Sequence, residues 1–143
     1  MKLLYKLIWV FPGKLRLLLK SVFIVSAVRL ALWLIPFHVL MRLLRRRTRR
    51  TTKRQEVDHD AVNRAIWNVE RASRLVPAAT CLVQAIAAQI LLSQIGQTAD
   101  LRIGVARDET GGFQAHAWLE YQGKIMIGGS KSRSRFTVLP LFE

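Results

Sequence analysis

The sequence predicts an α+β fold in which a buried helix packs on a small antiparallel sheet, preceded by apolar and basic helices. Three observations predict it. Apolar residues recur at three- and four-residue spacing after Asp60, a helix-length run that is apolar nearly all round follows, and from Leu101 the period changes to two. The resulting order of helix, helix, strand, strand, strand is that of a sheet covered by helices on one face. At 143 residues the chain suffices for one modest core and is short for a two-domain enzyme.

The first element is set by hydropathy and charge. Ser21 to Met41 is apolar except for Arg29 and His38, with Lys14, Arg16 and Lys20 before it and Arg42, Arg45, Arg46, Arg47, Arg49 and Arg50 after it. Its 21 residues would just cross a bilayer as a helix. Against a span, Arg29 near the middle costs about 2.5 to 3.5 kcal/mol on insertion scales, and Pro36 kinks the helix. Basic residues on both flanks give no orientation. The expected element is therefore a helix lying against protein or against the inner face of the membrane, with a spanning helix as the alternative. The opening residues do not read as a signal peptide, because no short apolar run with a small-residue cleavage site follows the first lysines.

Net charge divides the chain. Of the formal +14, all resides in residues 1–54, which hold 14 basic residues and no Asp or Glu, whereas residues 55–143 hold 9 of each sign. The expected organisation is an apolar and basic N-terminal arm, 1–54, and a charge-balanced domain, 55–143. Arg42 to Arg54 reads as a solvated, flexible linker, and with no aromatic residue among its cations to stack on bases it does not predict a nucleic-acid partner.

Within the balanced part, Ala61, Ala65, Ile66, Val69, Ala72 and Leu75 form one helical face that Pro77 ends. Thr80 is a usable N-cap for a second helix running through Leu92, with Gly96 as its stop. Leu101, Ile103 and Val105 then alternate with Arg102 and Gly104, Asp108 to Gly112 is a turn, and Phe113 to Tyr121 alternates again. Gln122-Gly123 turns into Lys124 to Ile127; Gly128 to Arg135 reads as an exposed basic loop, and Phe136 to Leu139 as a last short strand.

Chemistry centres on two residues. Cys81 is the single cysteine, which excludes an internal disulfide and predicts a reducing, cytoplasmic compartment, and His38, His59 and His116 show no metal-ligand spacing. The predicted elements place Cys81 on the first turn of a buried helix, where unpaired N–H groups and the helix dipole favour a thiolate and an oxyanion. They place His116 mid-strand, where an imidazole can take the thiol proton and later protonate a leaving amine. Alone, a cysteine is more often a small buried hydrophobe and a histidine a hydrogen-bonded core residue. Their joint placement brings the two readings level. His116, Trp118 and Glu120 share a strand face, a polarity that an apolar core does not require.

The strings Val76-Pro77-Ala78-Ala79-Thr80-Cys81-Leu82-Val83-Gln84-Ala85, Leu101-Arg102-Ile103-Gly104-Val105 and Ala115-His116-Ala117-Trp118-Leu119-Glu120 closely resemble the stand-alone transglutaminase-like leader-peptide proteases of lasso peptide biosynthesis. The resemblance implies a transglutaminase-like, papain-like cysteine protease core. It implies that Cys81 attacks the bond joining leader to core in a ribosomally made precursor peptide, with His116 as base and then acid. No metal or organic cofactor is implied. A separate leader-recognition protein presents the precursor, and an ATP-dependent cyclase then closes the macrolactam. One departure stands out: the Asp that usually orients the histidine is missing from Ile125-Met126-Ile127-Gly128-Gly129-Ser130. Glu120 is the nearest carboxylate for that role, or else a strand-end surface charge; a backbone carbonyl, another polar side chain or a partner's residue is the alternative source. Trp118 walls the site on the substrate side or is a core aromatic. The competing reading of the chain is a non-catalytic, membrane-associated scaffold of a peptide-maturation complex, and a third is a small transmembrane protein with a cytoplasmic domain.

Overall fold

A computed structural model describes residues 13–50, 58–77, 79–128 and 136–139. Among the described residues are four helices and a four-stranded sheet: α1 (Gly13–Leu34), α2 (Phe37–Arg50), α3 (His59–Leu75), α4 (Cys81–Gln94), β1 (Asp100–Arg107), β2 (Phe113–Tyr121), β3 (Lys124–Ile127) and β4 (Thr137–Val138). All strand pairs are antiparallel, in the order β3-β2-β1-β4. The α+β architecture expected from the sequence is the one observed.

Local chemistry explains the helix bounds. Asp58 caps α3, its carboxylate accepting from the Ala61 amide at 3.1 Å. Thr80 caps α4 in the same way, its hydroxyl oxygen accepting from the Val83 amide at 3.4 Å. Pro36 separates α1 from α2, as a residue without an amide proton ends the preceding helix. The α3 face is rotated slightly from the expected one: Val62 and Asn68 turn inward, and Leu75 is exposed.

α4 is the centre of the core, with Ala85, Ile86, Ala87, Ala88 and Leu92 fully buried. Strand alternation sorts the sheet into two faces. Leu101, Ala117, Leu119 and Tyr121 join the apolar cluster formed by the helices, while Arg102, Gly104, His116, Trp118 and Glu120 lie on the other face. At the end of β2 the Tyr121 hydroxyl donates to Gln97 Oε1 at 2.7 Å, tying the strand to the segment after α4.

Two expectations are corrected. The division at residue 54 does not separate an arm from a domain: Ile24, Val25 and Val28 of α1 and Leu40 and Met41 of α2 are buried in the same cluster as α3 and α4. The basic run is not a flexible linker through Arg50. Phe37, Leu40, Met41 and Leu44 recur at helical spacing and hold α2 to the core, while Arg42, Arg45, Arg46 and Arg47 face outward. The remainder of that run, and most of the loop expected after Gly128, lie outside the described residues.

A cap that satisfies two amides at the head of the cysteine helix has a measurable weight. Gln84 N–H donates to the Thr80 carbonyl and Val83 N–H to its hydroxyl. Thr80→Ala removes the second bond and is expected to cost about 1 kcal/mol, lowering the thermal midpoint followed by circular dichroism by roughly 2 to 4 °C.

Candidate active site

Cys81 is the first residue of α4 and is half-buried against the core. With the Val83 and Gln84 amides taken by Thr80, the amides of Cys81 and Leu82 are the first-turn donors for which the helix itself supplies no acceptor. The oxyanion of a carbonyl to which Sγ adds would find them there.

An apolar groove of about 730 Å³ opens beside this helix start. Val22, Arg29 and Trp33 of α1 form one wall, Leu75 and Pro77 another, and Thr80 lies at its α4 end. Arg29, the charge interrupting the apolar N-terminal segment, is therefore a groove residue. The exposed Leu75 lines the same groove, which explains an apolar residue left out of the core.

His116 sits on β2 opposite Gly104 of β1. Its Nε2 lies 2.6 Å from the Gly128 carbonyl oxygen. A carbonyl only accepts, so Nε2 carries the proton and donates, and in the neutral ring Nδ1 is the nitrogen left to accept one. The ring stacks on Trp118 at 6.2 Å between centroids and meets Phe136 at 5.3 Å, so its plane is fixed on two sides.

Glu120 does not take the orienting role, which falls to the backbone-carbonyl alternative, and Trp118 is the core aromatic that was its second reading. Glu120 Oε1 accepts from the Trp118 indole N–H at 3.0 Å, and its Oε2 lies 3.7 Å from Arg102 Nε. The orienting contact of His116 comes instead from the backbone carbonyl of Gly128, at the end of β3 where an Asp was sought. Trp118 is fully buried, so it backs the imidazole and does not present a surface to substrate. Sequence reasoning had no means to single out Gly128 as the partner, although the Gly-Gly pair in place of a carboxylate was visible.

The structure brings His116, Trp118, Glu120, Gly128 and Phe136 together. It does not join Cys81 to them: α4 packs on the Ala117 face of β2, His116 is on the Trp118 face, and among the described residues no hydrogen bond links thiol and imidazole. Nor do the described residues hold a cluster of His, Cys, Asp and Glu suited to a metal.

Comparison with known proteins fixes the family. No curated protein and no solved structure matches the chain. A family model described as the transglutaminase-like superfamily matches residues 24–140, from the middle of α1 to just beyond β4. Members of this superfamily are in general cysteine proteases or acyltransferases, which suits a cysteine at a helix start and a histidine on an adjoining strand. By that match over most of its length, the chain belongs to the transglutaminase-like superfamily.

Proposed function

We propose that this protein is a cysteine peptidase that removes the leader from a lasso peptide precursor before a cyclase closes the ring. The observation that carries the reading is Cys81 at the first turn of a capped, buried helix packed on the strand of His116, in a chain of this superfamily. The resemblance of the Cys-Leu, Arg-Ile-Gly-Val and His-Ala-Trp strings to those of leader peptidases is what supports leader cleavage in particular.

The reaction follows from the atoms present. His116 Nδ1 takes the thiol proton, and Sγ adds to the scissile carbonyl, whose oxyanion accepts from the Cys81 and Leu82 amides. Collapse breaks the C–N bond as the imidazolium protonates the leaving amine, which is the new N-terminus of the core peptide. Water, deprotonated by the imidazole, then cleaves the thioester and releases the leader's carboxylate and the thiol. The residues of the peptide ahead of the bond lie in the apolar groove beside Thr80. The step requires a rearrangement on substrate binding that brings the first turn of α4 to the His116 face of β2, since the unliganded fold holds the two groups on opposite sides of the strand.

The test is a reconstituted reaction of the full chain with precursor and recognition protein, read by mass spectrometry. The expected products are free leader and core, and hydroxylamine added during turnover should trap the leader as its hydroxamate. Intact precursor throughout, in the presence of a recognition protein that binds it, would overturn the reading. The unjoined Cys81 and His116 favour the scaffold as second reading, which predicts that outcome together with iodoacetamide labelling of Cys81 unaffected by His116→Ala even with precursor and recognition protein bound.

A further inference from the structure

α1 carries two apolar faces, and the fold uses only one. Ser21, Ile24, Val25 and Val28 are buried against α3 and α4. On the opposite side Leu19, Phe23, Leu30 and Leu34 recur in register along the helix and are all exposed, Phe23 by 73%, with Trp33 beside them exposed by 81%. The stripe is about 22 Å long. Among the described residues α1 is the one helix long and apolar enough to cross a membrane, yet its inner face is part of the domain core, so it is held along the surface of the protein.

Charge says what covers the stripe. Lys20 flanks it, Arg42 and Arg46 are exposed on the next helix, and residues 1–54 contain no acidic side chain at all. A second copy of the chain would set cationic segments against each other. The charge favours an anionic occupant, one that covers a narrow apolar stripe offering Ser26 as its one hydroxyl. A lipid surface needs no matched hydrogen bonds and accepts exposed Phe, Leu and Trp among its acyl chains with cations at its headgroups. We infer that α1 docks the protein flat on an anionic membrane surface, with Leu19, Phe23, Leu30, Trp33 and Leu34 in the acyl boundary and Lys20, Arg42 and Arg46 at the headgroups. Leu30 and Trp33 also line the groove beside Thr80, so the membrane and peptide readings share these two residues, and the test is therefore a vesicle measurement into which cleavage does not enter.

Co-sedimentation of the full chain with vesicles tests it. Binding to phosphatidylcholine vesicles containing phosphatidylserine should exceed binding to phosphatidylcholine alone by about tenfold or more and fall with added salt. The double variant Phe23→Ser, Leu30→Ser should lose binding by a similar factor with its thermal midpoint unchanged, since both side chains are exposed. The tryptophan emission of the wild type should shift to the blue on vesicle addition, and Trp33→Phe should remove most of that shift while retaining binding. No binding to anionic vesicles, binding indifferent to Phe23 and Leu30, or binding only to an acidic protein would each overturn the inference. Retention in cell membranes after alkaline carbonate would overturn it in favour of a spanning helix.

Discussion

Replacing Cys81 by alanine is expected to lower the rate of leader removal by about 10⁴- to 10⁶-fold, the loss that follows when a covalent nucleophile is deleted. The substitution suits the site structurally. Alanine is a good helix former, Cys81 is only half-buried, and its sulfur makes no hydrogen bond among the described residues, so thermal unfolding should change little. His116→Ala should reach a comparable loss by removing the base, and the double variant should be no slower than the worse single one, because two groups that act as a unit do not add. The same pair decides whether the residues act together. Because they share no bond in the unliganded structure, iodoacetamide labelling of Cys81 in the His116→Ala variant should slow far more with precursor and recognition protein bound than without them. Cleavage that survives Cys81→Ala would remove the cysteine from the chemistry altogether.

Much of the fold was legible because periodicity is local. The expected α4 start and Thr80 cap, the turn at Asp108 to Gly112 and the strands from Phe113 and Lys124 all agree with the structure, since each is decided by neighbours in sequence. What escaped was decided by contacts between distant segments. A helix apolar on both faces, as α1 is, does not say in sequence which face a core will take, so Val25 and Phe23 looked alike although one is buried and the other exposed. Alternation correctly put His116, Trp118 and Glu120 on one face, but it carries no record of pairing: the indole N–H claimed Glu120, and a main-chain oxygen, which leaves no side-chain signature, claimed His116. The groove beside Thr80 is likewise a meeting of three segments, and Arg29 acquired a location only when they were assembled.

Gly128 links that main-chain contact to stability. Its φ of +105° lies in a region that side-chain-bearing residues rarely adopt, and an added Cβ would stand 2.5 Å from the Trp118 Cβ and 2.9 Å from the Ala117 carbonyl oxygen. Both neighbours belong to the middle of β2, where Trp118 is fully buried, so neither can swing aside as the tip of a flexible side chain would. Gly128→Ala therefore combines backbone strain of about 1 to 3 kcal/mol with overpacking of a similar size. A loss of about 3 kcal/mol should appear as a fall of roughly 10 °C in the thermal midpoint. The same displacement would carry the carbonyl away from Nε2, releasing the imidazole from the tautomer that leaves Nδ1 open. Activity measured well below the lowered midpoint should then fall as well, with kcat reduced more than KM is raised. Gly104→Ala provides the comparison. Its Cβ would crowd Phe136 and the Trp118 ring, at 2.6 and 2.9 Å, the two rings that flank the imidazole. It should cost stability and, through those two rings, part of kcat, and a kcat loss in Gly128→Ala no larger than this one would show that the Gly128 carbonyl adds nothing to the orientation of His116.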